Sequence, residues 1–201
     1  MFYEPRLADH GLPHDPFKAI IAPRPIGWIS SIGTSGAINL APYSFFNAIS
    51  SRPPVVLFAS EERKDSLTFI EETGTFVCNL VTMELAHAMN QSSAALPRGA
   101  SEFAFAELEL EPSRLVAAPR VRGAAAALEC RHIGTQRVVD ADGRATSSWL
   151  VQGEVVGVHL EDRFVIDGIV QTAAMQPVAR CGYDQYAVVE RVFSLKRPVV
   201  G

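Results

Sequence analysis

"PIGWISSIGTSGAINLAPYSFFNAISSRPPVVLFAS", residues 25–60, decides how the chain folds. "PIGWISSIG" mixes β-branched and aromatic side chains with small ones, and "TSGAINL" supplies a polar, glycine-containing turn and the start of a return strand. Together they read as a β-hairpin. Asn39, Ser44, Asn47, Ser50 and Ser51 then interleave with Pro42, Tyr43, Phe45 and Phe46. The last third, with Val55, Val56, Leu57 and Phe58 in one apolar run, is a buried strand. Pro53 and Pro54 cannot donate ladder hydrogen bonds, so they sit just before that strand rather than within it.

Outward from this stretch, "KDSLTFIEETG" (64–74) reads as a short helix. Asp65 or Ser66 can cap it, Leu67 and Ile70 share one face, and Gly74 suits its C-terminal stop. A strand over 75–81 and a helix over 82–91 follow, the helix with Leu85, Ala86 and Met89 on its inner face. A Pro/Gly-containing loop (94–103) comes next, then strands over 124–139, 149–160 and 186–195, the first two separated by a loop over 140–148. Residues 1–18, rich in Pro, His and Asp, form an extended arm, and 19–201 read as one domain. Six or more sequentially connected strands with a few short helices predict a mainly β chain with a closed barrel core. The βαβα rhythm of a doubly wound sheet is missing.

Composition excludes several classes. The 201 residues are 48% hydrophobic and 20% charged, ordinary for a globular protein. Eighteen basic residues against 22 acidic ones leave a net charge of -4, so no global field favours nucleic acid or an anionic membrane. No apolar run is long enough to span a bilayer, and "MFYEPRLADHG" carries charges where a signal peptide needs an apolar run. A cytoplasmic location is expected. Cys78, Cys130 and Cys181 form no CxxC and read as reduced core thiols.

Two neighbouring segments can carry chemistry. In "SEERKDSL" (60–67), Arg63 and Lys64 precede a helix start flanked by Ser60 and Ser66, a place where free N–H groups and the helix dipole suit a phosphate. Taken alone, a solvated surface turn capped by Asp65 is the simpler reading. "NLAPYSFFNAIS" (39–50) sets small residues, amides and hydroxyls beside aromatics, as a planar ring with a polar edge requires; a polar hairpin strand accounts for it equally well. Because the segments adjoin, a ring site and a phosphate site would lie within one cofactor's length. The histidines add no clear site. Gly11 and Pro13 keep His10 and His14 from sharing a helix face, and His87 falls on an outer face. His132 shares strand parity with Leu128 and Cys130, while His159 sits at a strand end. Trp28 and Trp149 read as packing groups, Tyr43 and Phe46 as ring neighbours or core. There is no GxGxxG after a strand, no GxxxxGK[ST] and no catalytic triad.

The chain resembles the flavin reductase-like, FMN-binding split-barrel family. The resemblance rests on "APRPIGWISSIGTSGAINLAPYSFFNAISSRPPVVLFAS", "KDSLTFIEETGTFVCNLV", "SEFAFAELELEPSRLVAAPRV", "LEC", "VQGEVVGVHL" and "ARCGYDQYAVVERVFSLKRP", in that order from about Lys18 onward. It implies a Greek-key-like split barrel that forms a homodimer and holds FMN. It also implies reduction of flavin by NADH or NADPH, often for a partner monooxygenase, or service as an FMN-bound electron carrier. By motif position, Ser30 and Ser31 lie near the flavin, and Ala41, Pro42, Tyr43, Ser44 and Asn47 meet its ring. Ser60, Arg63, Lys64, Asp65 and Ser66 hold the ribityl chain and phosphate. Arg180 and Gly182 belong to a motif closing over the site, which Tyr186 ends. Any nicotinamide would lie against the flavin in the same cleft. The chain departs from the family pattern twice: Tyr183 follows Gly182 where a second glycine is expected, and Glu107 stands where relatives often have glycine.

Overall fold

The structure, a computed structural model, describes residues 1–97 and 100–199. Positions 98 and 99 of the loop expected over 94–103 lie outside the described residues. In chain order the elements are α1 (Phe17–Ile20), β1 (Arg24–Pro25), β2 (Gly27–Ile32), β3 (Ile38–Tyr43), β4 (Phe46–Ser51), β5 (Pro54–Glu61), α2 (Asp65–Thr73) and β6 (Thr75–Asn79). A 3-10 turn (Met83–Leu85) leads into α3 (Ala86–Gln91), followed by α4 (Glu102–Phe105), β7 (Leu110–Glu111), β8 (Arg120–Val121), β9 (Ala126–Val139) and β10 (Ala145–Leu160). The chain then adds β11 (Val165–Ile166), β12 (Ile169–Val170), α5 (Thr172–Met175), β13 (Val178–Arg180) and β14 (Tyr186–Val188).

A seven-stranded antiparallel sheet, ordered β3-β2-β6-β9-β10-β5-β4, makes the body of the molecule. Its two edge strands are consecutive in sequence, so Ser44 and Phe45 alone carry the chain from one edge to the other. The Ala59 N–H donates to the Phe45 carbonyl at 2.8 Å, and the Tyr43 and Phe58 rings meet at 4.6 Å across the seam. The barrel is thus closed by covalent continuity and side chains where ladder hydrogen bonds stop. Pro42 on edge strand β3 has no N–H to leave exposed.

Strand alternation explains the core. Along β2 and β3, Ile29 and Tyr43 face a cluster with Phe58, Phe76, Cys130 and Val151, into which α2 inserts Leu67 and Ile70. Trp28 and Leu40, of opposite parity, face a second cluster with Met89 of α3, Phe103 of α4 and Val178 of β13. Both faces of this hairpin are therefore covered, which is why its strands read as nearly continuous apolar runs.

Several expectations change. Asp65 and Ser66 do not cap α2: Lys64 is its N-cap and the other two residues lie in the first turn. Gly74 ends the helix as expected, at φ 71°, with its N–H on the Ile70 carbonyl at 2.8 Å. The loop expected over 140–148 is shorter, because β10 begins at Ala145. The arm ends in α1, which runs from Phe17 past the expected boundary at 18 to Ile20. The strand expected over 186–195 ends at Val188, and Val192, Phe193 and Leu195 are exposed. Apolar alternation there found no strand to pair with beyond β13. Among the described residues no helix is long and apolar enough to cross a membrane.

The two departures from glycine have a common backbone cause. Glu107 has φ 54° and Tyr183 has φ 57°, the left-handed region that glycine occupies without a steric cost. Glu107 follows the end of α4. Its N–H reaches the Ala104 carbonyl at 3.2 Å and the Leu108 N–H reaches the Phe103 carbonyl at 2.8 Å, the paired bonds of a Schellman stop. Tyr183 is the first central residue of the turn closed by the Gln185 N–H on the Gly182 carbonyl at 3.0 Å.

Candidate functional site

Edge strand β3 and the start of α2 frame a cleft of about 490 Å³. Ala41, Pro42 and Tyr43 line one side, and Lys64, Asp65 and Ser66 line the other. Residues 92–96, which follow α3, and Glu102 of α4 complete it. A recess of about 120 Å³ shares Pro42 and Ser93 with this cleft and adds Ser44, Arg180 and Tyr186. A further chamber of about 270 Å³ shares Asn39, Asp65 and Glu102 and reaches Gly36. The three form one groove, and the main cleft alone is within the roughly 300–1,000 Å³ usual for small-molecule sites.

The helix end of the groove is rich in donors. The N-cap residue of α2 is Lys64, whose side chain makes no cap bond to the helix and so stands at its N-terminal end. Ser66 is buried, and its Oγ accepts from Asn39 Nδ2 at 2.7 Å and from the Tyr43 hydroxyl at 2.9 Å. Burial pushes the Tyr43 phenol up, against the opposing effect of the Ser66 and Ser60 hydroxyls, so Tyr43 stays neutral. Burial likewise raises the Glu102 carboxyl, with backbone N–H groups opposing and the Asp65 charge adding to the rise. Glu102 Oε2 accepts the edge N–H of Leu40 at 3.1 Å.

At the other end, Arg180 donates to the Tyr186 hydroxyl at 2.5 Å and to the Tyr183 carbonyl, with its guanidinium 4.6 Å from the Tyr186 ring. Arg180 lies directly across β1–β13 from the buried Arg24, whose guanidinium donates to the carbonyls of Lys18, Ile21 and Cys181.

The structure thus gathers Ala41, Pro42, Tyr43, Ser44, Lys64, Asp65, Ser66 and Arg180 around one groove. The other candidates line none of these three cavities, although Ser60 hydrogen-bonds the cleft-lining Tyr43. Ser30 is buried and donates to the Pro119 carbonyl at 2.5 Å while accepting from Asn79 at 3.1 Å. Ser31 is buried opposite Asn39, and its hydroxyl has no partner among the described residues. Ser60 is buried and donates to the Glu62 carbonyl at 3.0 Å. Asn47 is exposed on β4, its Oδ1 accepting the Ala48 N–H at 2.8 Å. Arg63 is drawn from the cleft by Glu71 and by the Trp149 ring at 4.9 Å. Gly182 packs on α1: an added Cβ would come within 2.5 Å of the Ala19 side chain. Tyr183 turns toward the arm, 5.5 Å from the His14 ring, and Phe46 lies over Gly27 against the core.

His132 bonds Thr135 at 2.9 Å, and His159 bonds the buried Glu129 at 2.5 Å. His159 lines a separate hollow with Arg114 and Arg120, sharing no residue with the groove. Sequence reading included Asn39 in the polar segment 39–50 without giving it a role of its own, and left out residues 92–96 and Glu102. Strand parity was the available signal for Asn39, which lies two residues from Ala41 and four from Tyr43 on one face. The other two reach the groove through tertiary packing alone.

Residues 21–167 match the family model for the flavin reductase like domain. A protein from Deinococcus radiodurans is 40% identical over 176 residues, which cover 82% of this chain and 74% of the relative's length. Nitrilotriacetate monooxygenase component B from Bacillus cereus superposes with a TM-score of 0.86 at 26% identity, over 97% of this chain and 98% of that one. The 2-nitrobenzoate 2-nitroreductase from Pseudomonas fluorescens gives 0.79 at 28% identity, over 90% and 88%. A split barrel with a donor-rich groove at its seam, matched over most of its length, therefore belongs to the flavin reductase-like family.

Proposed function

We propose that the protein binds FMN in this groove and acts as a flavin reductase with NADH or NADPH as the electron donor. The observation that carries the reading is the continuity of the groove between two chemically different ends. A phosphate dianion needs cations and N–H or O–H donors, and Lys64, the N-terminal end of α2 and Ser66 supply them. A flat ring needs small apolar contacts and a few polar atoms at its edge. Ala41 and Pro42 supply the first, and Ser44 and Arg180 the second. Asp65, beside Lys64 and Ser66 in the first turn of α2, is the acceptor for ribityl hydroxyls.

When bound, the flavin supplies the chemistry, accepting a hydride from the reduced nicotinamide. The chain's own task is placement. Pro42 and Ala41 support the ring, the α2 end anchors the tail, and residues 92–96 shield the groove from water. Arg180, lining the recess, would supply positive charge to a reduced ring held there. No side chain is assigned proton transfer.

A homodimer and delivery of reduced flavin to a separate monooxygenase extend this proposal. Exposed Ile133 and Val158 on the barrel surface favour the first, and the name of the Bacillus cereus protein favours the second. Three free cysteines suit the reducing cytoplasm. Absorbance titration with FMN, followed by NADH and NADPH oxidation assays, tests the reading. Saturable binding and flavin-dependent turnover are expected; absence of turnover with both donors overturns the reductase activity, and absence of binding overturns the whole.

A further inference from the structure

Two unfinished pieces of β structure lie on the surface, far from the groove's own chemistry. The first is the β11–β12 hairpin. Asp167 and Gly168 have φ 51° and 75°, positive at both central positions as a two-residue type I′ turn requires, and Ile166 faces Ile169 across the turn. No third strand joins this two-stranded sheet among the described residues. Val165, Ile166, Ile169 and Val170 are all exposed, the two isoleucines by 55% and 66% on a shared face. A lone two-stranded hairpin is marginal in water and needs a third strand or a covered face.

The second piece is the segment after β14. The Val189 N–H still donates to the Pro177 carbonyl at 3.0 Å, and over 190–199 no helix or strand forms. The residue order there is nevertheless that of a strand. Arg191, Phe193, Leu195 and Arg197 share one parity, and Pro198, with no N–H, suits the end of a ladder. Phe193 and Leu195 are each 85% exposed, so nothing in their own chain covers them.

Charge matches the two pieces to each other. In the tail, Arg191, Lys196 and Arg197 stand against one acid, Glu190. Asp162 precedes the hairpin and Asp167 sits at its tip, while Glu161 and Arg163 are spent on each other at 2.5 Å. Among the described residues neither aspartate and none of the three tail cations has an ion-pair partner.

We infer that residues 190–197 of one copy add a third strand to the β11–β12 sheet of a second copy, setting Phe193 and Leu195 beside Ile166 and Ile169 and the tail cations near Asp162 and Asp167. The inference rests on the homodimer proposed above and names the segments that join it. Each copy gives one tail and takes one, so the exchange closes as a two-fold pair. Strand addition supplies main-chain hydrogen bonds, and alternate side chains supply the selectivity. The ladder is short, so apolar contact carries most of the affinity and opposite charge sets the register.

The test measures dimer dissociation of the full chain by sedimentation velocity. A tail variant carries Phe193→Ser with Leu195→Ser, and a hairpin variant carries Ile166→Ser with Ile169→Ser. Each alone is expected to weaken the dimer about 100-fold, roughly tenfold for each of the two contacts. Mixing the two variants confines both defects to one contact and leaves the other intact, so the mixed pair should bind about tenfold tighter than either variant with itself. Circular dichroism reports whether the variants fold, and the tail variant, altered where no helix or strand forms, carries the test if the hairpin variant does not. Variants as dimeric as the parent overturn the exchange. So does a mixture no tighter than its components, the result that a tail-to-tail or hairpin-to-hairpin interface gives. A monomeric parent overturns the homodimer itself, which is visible before any variant is made.

Discussion

Two of the polar clusters buried in this molecule differ in charge and in setting. Glu129, fully buried on β9, accepts from the backbone N–H groups of Arg114, Leu115 and Val116 at 2.7, 2.6 and 3.2 Å and from His159 at 2.5 Å. Its carboxylate is saturated with donors and pins residues 114–116 to the barrel. The Asn39–Tyr43–Ser66 cluster is neutral, and all three of its residues line a cleft. A charged group closed in by donors holds structure; a neutral network at a cavity wall is placed to meet a ligand.

The sharpest way to break the comparison is to remove Glu129. Glu129→Ala strands three backbone donors and the His159 ring, and should lower unfolding free energy by about 3–5 kcal/mol in urea melts. The ratio of FMN to riboflavin affinity should not move, since the clamp is not part of the groove. A changed ratio would show that the two clusters communicate.

Acid offers a second probe. Burial alone would raise the Glu129 carboxyl, but the Arg114 N–H, the His159 ring and the Leu115 N–H outweigh it and hold the group below the usual carboxylate range. A depressed folded value means that the unfolded chain takes up the proton first. The stabilisation is therefore complete above the ordinary glutamate value of about 4.3 and fades as pH falls through the lowered folded value. Urea midpoints measured across this window should fall steeply for the parent protein and less steeply for Glu129→Gln. Identical slopes would place the acid sensitivity in other carboxylates.

Charge at the groove gives a smaller effect. Lys64→Ala should weaken FMN about tenfold and leave riboflavin nearly unchanged, because only FMN brings a phosphate. Arg63→Ala should cost about twofold or less, since Glu71 and Trp149 already hold that guanidinium. Equal losses from the two variants would return Arg63 to the site. Smallest is Glu107→Gly, which relieves the left-handed residue of the Schellman stop and should add about 1 kcal/mol of stability without touching flavin affinity. Thermal melts with and without FMN check both halves of that expectation.

Much of this was legible in residue order. The hairpin of β2 and β3 and the Gly74 stop follow from local pattern, and Pro53 precedes β5 as expected, whereas Pro54, expected before the strand, is its first residue. Residues carried over by motif position scattered more. Ser30, Ser60 and Arg63 carry the same polar groups as Ser44, Ser66 and Lys64, yet each is engaged by a nearby carbonyl, carboxylate or aromatic ring. The tail beyond Val188 alternates like a strand but has no neighbour to complete a ladder.

What the linear order determined by itself is periodicity: which positions share a strand face, where proline and glycine interrupt the backbone, and therefore a curled antiparallel sheet with α2 inserted between its strands. Only the tertiary structure decided which polar side chains are spent and which are spare. Hydrogen-bond saturation depends on groups brought together across the barrel, as Asn39 and Ser66 are across 27 positions, and no local rule reports who the partners are.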